Sequence, residues 1–597
     1  MPTSPINREM EILAIEVSSD GKVLDSTLSI LSISINREVN KVGTAQICFF
    51  LENEEEDNTF GLSAQSDFNP GKVIEIKLGY DSDSASVFKG VILNHSIVAK
   101  PRKGLTMEIN CSENSVKMTL GRQNKYFKDQ QDSAIISSII SDSGLSASVD
   151  STTYTHQQLI QYHATNWDFI LTRAEQNGLL VYMADDKVCV KKPEVSASPT
   201  LELTYGLDVI SFSGAVDARD QLPSATCQSW DMDNLALLEA TSAEPSVNSQ
   251  GNLTGKKMSE IMGLSEFGMQ TGGLVEKDCM KNWADARLLI SRLSRIRGTV
   301  TFMGNETVQL NSLIGLKNFG DRFNGKALIT GIQHEVVEGL WTTTVIFGLS
   351  PNLFYSDREV DSPNAAGMLP AIQGLQNGTV KQIDSDPDGK SRILVDVPMI
   401  AASGDGIWAR LSNFYASAEV GAFFMPEVGD EVVLGFLNND PRYAVILGML
   451  YGGKKSPPYT ADSENKIKAL VTKSKMKIEF DDDQKILTLE TPGGHQAIFS
   501  DKDQKVTLKD SNGNTLEMSS NGIDINSAAA INIKASSSCK ITASQAINVE
   551  SSGGDVSIKG LNVNAKGQMA FSAQGSASAE LKASGNTTIK GAMVMIN

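Results

Sequence analysis

The sequence predicts a mainly β protein in three successive parts. These are β-barrel domains with a few helices over residues 1–365, a small closed barrel over 366–455, and a β-helical stretch over 456–597. Three observations carry that expectation. The first part alternates β-branched and polar residues, the period-two signature of half-buried strands. The second holds two strand–turn–strand units around the Asp-Pro turns "DSDPDGK" and "NNDPR". The third repeats apolar residues every eight positions, with Ser, Ala, Asn and Gly between them.

Taken in order, "STLSILSISINREV", "GKVIEIKLGY" and "LTMEINCSENSVKMTL" read as strands. Three helices are predicted among them. Asp132 is placed to cap "SAIISSIISDSG", with Gly144 as its stop; Thr165 or Asn166 caps "WDFILTRAEQNG", which ends at Gly178. On that second helix Trp167, Ile170, Leu171 and Ala174 share a face. In the third, "KNWADARLLISRLSRIRG", Trp283, Ala286, Ile290 and Leu293 form the apolar stripe. Arg287, Arg292, Arg295 and Arg297 then fall largely elsewhere and read as a solvated face or as intersubunit salt bridges, with a grip on an acidic partner as the alternative.

Residues 351–370, punctuated by proline, read as a linker. Five or so short strands follow, ending in "DEVVLGFL" and "YAVILGML", and fit a closed barrel of OB type. A second linker is expected at 451–465. No proline follows Pro492, as a continuously paired strand system requires, because proline removes a ladder donor.

The apolar beat runs Ile523/Ile525, Ile531/Ile533, Ile541, Ile547/Val549 and Val556/Ile558, and returns from 563 to 571 and from 581 to 589. Residues i and i+2 of a strand point to one face, so each doublet turns two apolar groups inward. Eight strand residues cover ~26 Å, enough for one face of a triangular prism whose corners Gly and Asn permit. One chain winding round all faces and three interleaved chains both satisfy that period. Three chains cap each other's strand edges and close with cyclic symmetry, so the physics favours a trimer.

The chain has 53 Lys+Arg against 71 Asp+Glu, a net charge of −18, which argues against general nucleic-acid binding. The start "MPTSPINREMEIL" lacks the cationic and apolar regions of a signal peptide. Synthesis in the cytoplasm is expected, with export, if any, by another route. The six cysteines are scattered and read as buried, reduced thiols. His156 and His163 flank a strand-like run and read as packing residues, not as a ligand pair.

"MPEVGDEVVLGFLNNDPRYAVILGMLYGG" (425–453) resembles the OB segment of VgrG-type spike proteins, and "KMKIEFDDDQKILTLETPGG" (475–494) resembles the segment leading into their β-helix. "NWDFILTRAEQNGLLVY" and "WADARLLISRLSRIRGTVTFMG" are similar to hub segments of the same family. The resemblance implies a homotrimeric hub and spike at the tip of a contractile injection machine: a type VI secretion system, a phage-tail-like particle or a phage baseplate. The hub would adapt a three-fold spike to a six-fold tube. Implied partners are further copies of the chain, an Hcp-like tube protein and baseplate components at the hub, a PAAR-type tip, effector cargo and, transiently, a target membrane. No nucleic acid is implied. Such a spike is secreted or injected after assembly. Pro426, Gly429, Asp430, Gly435, Asp440 and Pro441 match the family's OB pattern, with turn formation and packing as their expected role. Met593, Val594, Met595, Ile596 and Asn597 are the expected docking platform at the needle tip.

No catalytic residue, metal site or cofactor is expected. The competing readings are a polysaccharide-degrading β-helix enzyme and a fibrous adhesin. The enzyme needs paired carboxylates about 5–10 Å apart, whereas Asp524, Glu550, Asp555 and Glu580 stand scattered through the repeats.

Overall fold

The computed structural model describes residues 4–5, 12–51, 60–81, 83–100, 104–401 and 404–596. The chain divides into two units, Met1–Leu450 and Tyr451–Asn597.

The seam of the first unit is the strand Gly325–Val337. It pairs antiparallel with Leu340–Phe347 on one side and with Ile30–Glu38 on the other, so the last strands of the region join its first ones in one sheet. At 13 residues the strand is long enough to serve two cores. Leu328, Ile329 and Ile332 enter one core with Val300, Phe302, Val345 and Phe347. Val336 enters a second core with Ile33, Ile47, Phe49, Ile76 and Trp341. A third core joins the helices Asp132–Asp142 and Asn166–Gln176 to the strands Leu180–Ala184 and Lys187–Lys191. A small sheet of Ala225–Asp231, Ala236–Thr241 and Phe267–Thr271 packs on the helix Lys277–Leu293.

Local signals account for the helix ends. Thr165 Oγ1 accepts the Asp168 N–H at 3.0 Å, so Thr165 is the cap of the second helix. Gly144 and Gly178 follow their helices at φ +75° and +67°, the left-handed turn-off that glycine adopts without a Cβ clash. Asp132 does not cap. It lies inside the first turn, 2% exposed, and its carboxylate turns to Arg173 instead.

The third helix also differs from expectation. Its buried side includes Cys279, Met280, Ala284, Leu288 and Arg292, while Trp283 and Ile290 are only half-buried. The arginines are structural members of one chain. Arg292, 1% exposed, holds Glu244 at 2.7 and 2.9 Å and the Leu222 carbonyl at 2.7 Å. Arg295 donates to the Asn248 and Gln250 carbonyls, Arg297 pairs with Asp217, and Arg287 reaches the Pro351 carbonyl. Helical periodicity assigns a face but not what meets it, and here carbonyls and carboxylates of neighbouring loops do. Nor is 351–370 a free tether: the Phe354 N–H binds Glu175 at 2.8 Å, and Arg122 binds the Val360 carbonyl at 3.0 Å.

Gln376–Gln382, Ile393–Asp396, Ile407–Leu411, Ala444–Leu450 and Glu431–Phe436 close, in that order, into a barrel. Only Ile407–Leu411 and Ala444–Leu450 run parallel, the closure of a five-stranded OB fold. Val380, Ile393, Val395, Ala409, Val432, Leu434, Ala444 and Ile446 fill it.

The second unit opens with seven antiparallel strands of five residues each: Ile467–Val471, Lys477–Asp481, Ile486–Glu490, Gln496–Ser500, Lys505–Lys509, Thr515–Ser519 and Gly522–Asn526. Past Asn526 the described residues form no ladder. The chain does bend on a strict beat, at 528–529, 536–537, 544–545, 552–554, 561, 568–569, 576–577, 584–585 and 592–593. Bends thus recur with the eight-residue period of the apolar residues. The corner at 552–554 contains Gly553–Gly554 and is one residue longer, and the corner at 561 is one shorter. Val556/Ile558 are thereby displaced by one position from the beat, and the phase is then restored.

Candidate functional site

The seven-stranded sheet has two chemically different faces. Its register places Leu470, Ile478, Leu489, Ala497, Leu508, Leu516 and Ile525 in one cross-strand row. Phe480, Leu487, Phe499, Val506, Met518 and Ile523 form a second row on the same face, since successive even steps along a strand share a side. The result is an apolar stripe two side chains wide. The opposite face is mixed, with Ile467, Ile486 and Ile498 beside ion pairs: Lys477 bonds Glu490 at 3.0 Å and Glu479 at 3.2 Å, and Lys505 bonds Glu517 at 3.0 Å.

This stripe is open to solvent in a single chain. Ile478 is 38% exposed, Phe480 and Phe499 46%, and the first doublet of the beat, Ile523 and Ile525, 67% and 61%. A concavity of about 760 Å³ lies along it, bordered by Ile478, Leu489, Leu508, Leu516, Ile525 and Ile531. The other beat residues, Ile531, Ile533, Ile541, Ile547, Val549, Val556 and Ile558, are exposed as well. So are Met593, Val594, Met595 and Ile596, while Asn597 lies outside the described residues. A contiguous apolar surface of this length marks an interaction face.

The OB motif residues form turns. The Gly429 N–H donates to the Val380 carbonyl at 2.8 Å with φ at +86°, and Asp430 accepts the Glu427 N–H at 2.8 Å. Pro426 precedes that turn and is buried. Gly435 leaves room for Leu447, whose side chain would meet an added Cβ at 3.2 Å. Asp440, ahead of Pro441, is 3% exposed and holds Arg442 at 2.7 Å. The first Asp-Pro turn is built alike. Asp384, Asp386, Asp388 and Gly389 have the spacing of a calcium loop, yet Arg392 stands in the cation's place, 2.6 Å from Asp386. Its hydrogen bonds, with the N–H groups of Arg392, Asp388 and Lys390, hold the Asp386 carboxyl well below the usual range.

Buried titratable groups elsewhere are likewise committed to structure. Burial alone would raise the Asp132 carboxyl, but Arg173 at 2.6 Å, His156 at 3.1 Å and Asn177 at 2.9 Å hold it below the ordinary value. His156 and His163 do not meet: the first is buried in this cluster and the second is exposed. Burial raises the Glu113 carboxyl against the opposing pull of Arg37 and the Gly43 N–H. Among the described residues no group of three or more His, Cys, Asp or Glu is placed to hold a metal. Burial pushes the Cys111 and Cys227 thiols up to about 12, leaving them unreactive. Cys539, expected to be buried, is exposed, and Cys48 is half-buried.

Residues 9–338 match the Alg8 N-terminal domain family, and residues 376–451 match the type VI secretion system/phage-baseplate injector OB domain, the barrel described above. The chain is 23% identical over 424 residues to the type VI secretion system spike protein VgrG1a of Pseudomonas aeruginosa, covering 65% of this chain and 63% of that protein. It belongs to the Alg8 N-terminal domain family and is a VgrG-type spike protein. To VgrG1b of the same organism this spike is 23% identical over 370 residues, 56% of its own length and 48% of the relative's. The chain thus spans about half to under two thirds of the length of these curated relatives. It is also similar to a solved E. coli component of the type VI secretion system, at 14% identity and a TM-score of 0.36, over 73% of this chain and 99% of that one. Among the described residues no helix of the spike is long and apolar enough to cross a membrane.

Proposed function

We propose that three copies of this VgrG-type spike assemble about one axis into the tip of a contractile injection machine. The observation that supports this is the exposed apolar stripe of the second unit, continued by the beat residues Ile523 to Ile558 between corners eight residues apart. Three chains bury those doublets against one another and supply the backbone partners that one chain lacks. In this reading residues 1–365 form the hub that receives an Hcp-like tube and baseplate components. Residues 366–455 are the OB collar, and residues 456–597 are the needle. Residues Met593 to Asn597 dock a PAAR-type tip, and effector cargo travels with the assembly. The spike is put together in the cytoplasm and then driven outward into a target envelope. Its work is mechanical, and its buried acids and bases serve packing.

Light-scattering mass of the purified chain tests the reading. A trimer at micromolar concentration is expected; a monomer there overturns it.

A further inference from the structure

The OB barrel carries an arm that its own core does not use. After the strand Ile407–Leu411, Ala416–Ser417 and Val420–Gly421 pair as a short antiparallel hairpin. The Ala422 N–H closes onto the Tyr415 carbonyl at 2.9 Å, and Asn413 Nδ2 donates to the Ala422 carbonyl. These bonds bring the two flanks of the hairpin together and fix its form before any partner arrives. Both flanks are aromatic. Phe414 is 86% exposed and Phe423 84%, with Tyr415 and Val420 at 56% and Phe424 at 50%. No charged side chain interrupts the flanks; Glu419 sits in the turn at φ +60°.

Five such side chains offer on the order of 600 Å² of apolar surface, at the upper end of what a monomer leaves open. That approaches the ~800 Å² per partner of a stable protein–protein contact. The strand Ala444–Leu450, which pairs with the root of the arm, adds to it. Val433 faces Gly448 and Leu434 faces Ile446, so Leu447 is the extra residue of a β-bulge, and its side chain stands 51% exposed on the outside of the barrel.

We infer that this aromatic arm is a clasp, seated in the assembled spike on the OB barrel of a neighbouring copy. The inference rests on the trimeric reading above. A closed ring gives every copy one arm and one receiving barrel, and a preformed hairpin loses little freedom on docking. The occupant is another copy because the patch, extended by Leu447, approaches one partner's share of a stable interface, and a ring of identical chains presents it once per copy.

Chymotrypsin digestion of the full-length chain, followed by mass spectrometry at Tyr415 and Phe424 beside a light-scattering mass, tests the clasp. Slow cleavage in the trimer is expected, with at least a roughly tenfold acceleration in the Phe414→Ser/Phe423→Ser variant. Both substituted residues lie outside the barrel core, so an unchanged far-ultraviolet circular dichroism spectrum checks the fold. A wild-type trimer cut as fast as that variant overturns the clasp while the trimer stands. Slow cleavage in a chain made monomeric by Ile533→Asp places the cover within one chain and also overturns it. A monomeric wild-type mass overturns the trimeric reading itself.

Discussion

Ile533→Asp is the sharpest perturbation of the proposed needle. Ile533 belongs to the doublet Ile531/Ile533 and is 73% exposed in the single chain. Burying a whole isoleucine side chain stabilises by about 1.5–3 kcal/mol, so burying its exposed share contributes roughly 1–2 kcal/mol per copy and roughly 3–6 kcal/mol over three copies. The aspartate forfeits that and drives three carboxylates into apolar surroundings, which adds further cost. At about 1.4 kcal/mol per decade, the trimer weakens by at least about a hundredfold to ten-thousandfold. Mass measured by light scattering across a dilution series reads this directly. Asn532→Asp is the matched control: the same charge enters one residue away, on the alternate face of the strand. Association unchanged in Ile533→Asp, or weakened equally in Asn532→Asp, refutes the inward-facing doublet.

Three further outcomes are expected. Cys539 stands eight residues from both Ile531 and Ile547 and is exposed in the single chain, so the proposed trimer would shield it; maleimide labelling should be slow in the native spike and fast in Ile533→Asp, and equal rates would place this position outside the interface. His334 is buried and held neutral, its pKa pushed down to about 3 by burial and by the nearby Arg37 charge, while Nδ1 meets Thr343 at 3.0 Å. Below its ordinary value of 6.5 the unfolded chain takes up a proton that the folded chain refuses, so this site's share of stability falls by roughly 1.4 kcal/mol per pH unit from about pH 6.5 down towards 3; melting curves between pH 7 and 5 should show a shallower slope for His334→Gln. Arg292→Met should cost about 2–3 kcal/mol in denaturant titration, because it orphans the Leu222 carbonyl, whereas half-exposed Glu244 rehydrates.

What could be read beforehand was local. The Asp-Pro turns, the Thr165 cap, the stops at Gly144 and Gly178 and the alternation inside the barrel strands depend on neighbours a few residues away. So does the eight-residue beat, whose corners recur as bends from 528 to 593. Asp132 pairs and does not cap, because an acid at a helix start does one or the other according to what lies across from it. That partner, Arg173, is 41 residues along the chain. The buried arginines escaped for the same reason: Arg292 meets Glu244 and Leu222 at separations of 48 and 70. The apolar stripe left a weaker trace, since strands starting at 467, 477, 486, 496, 505 and 515 alternate steps of ten and nine and show no single period.

By itself, then, the order of residues determined the mainly β class, the closed OB barrel and the eight-residue period of bends, because each is written in side-chain alternation and turn chemistry. Tertiary structure alone decided that one long strand, Gly325–Val337, serves two cores, and that charged helix residues turn inward. It also decided that the displaced doublet Val556/Ile558 follows from one long corner and one short one. The physical reason is common to all three. Burial and register are set by groups brought together across tens or hundreds of residues, and a one-dimensional pattern records only which groups seek a partner.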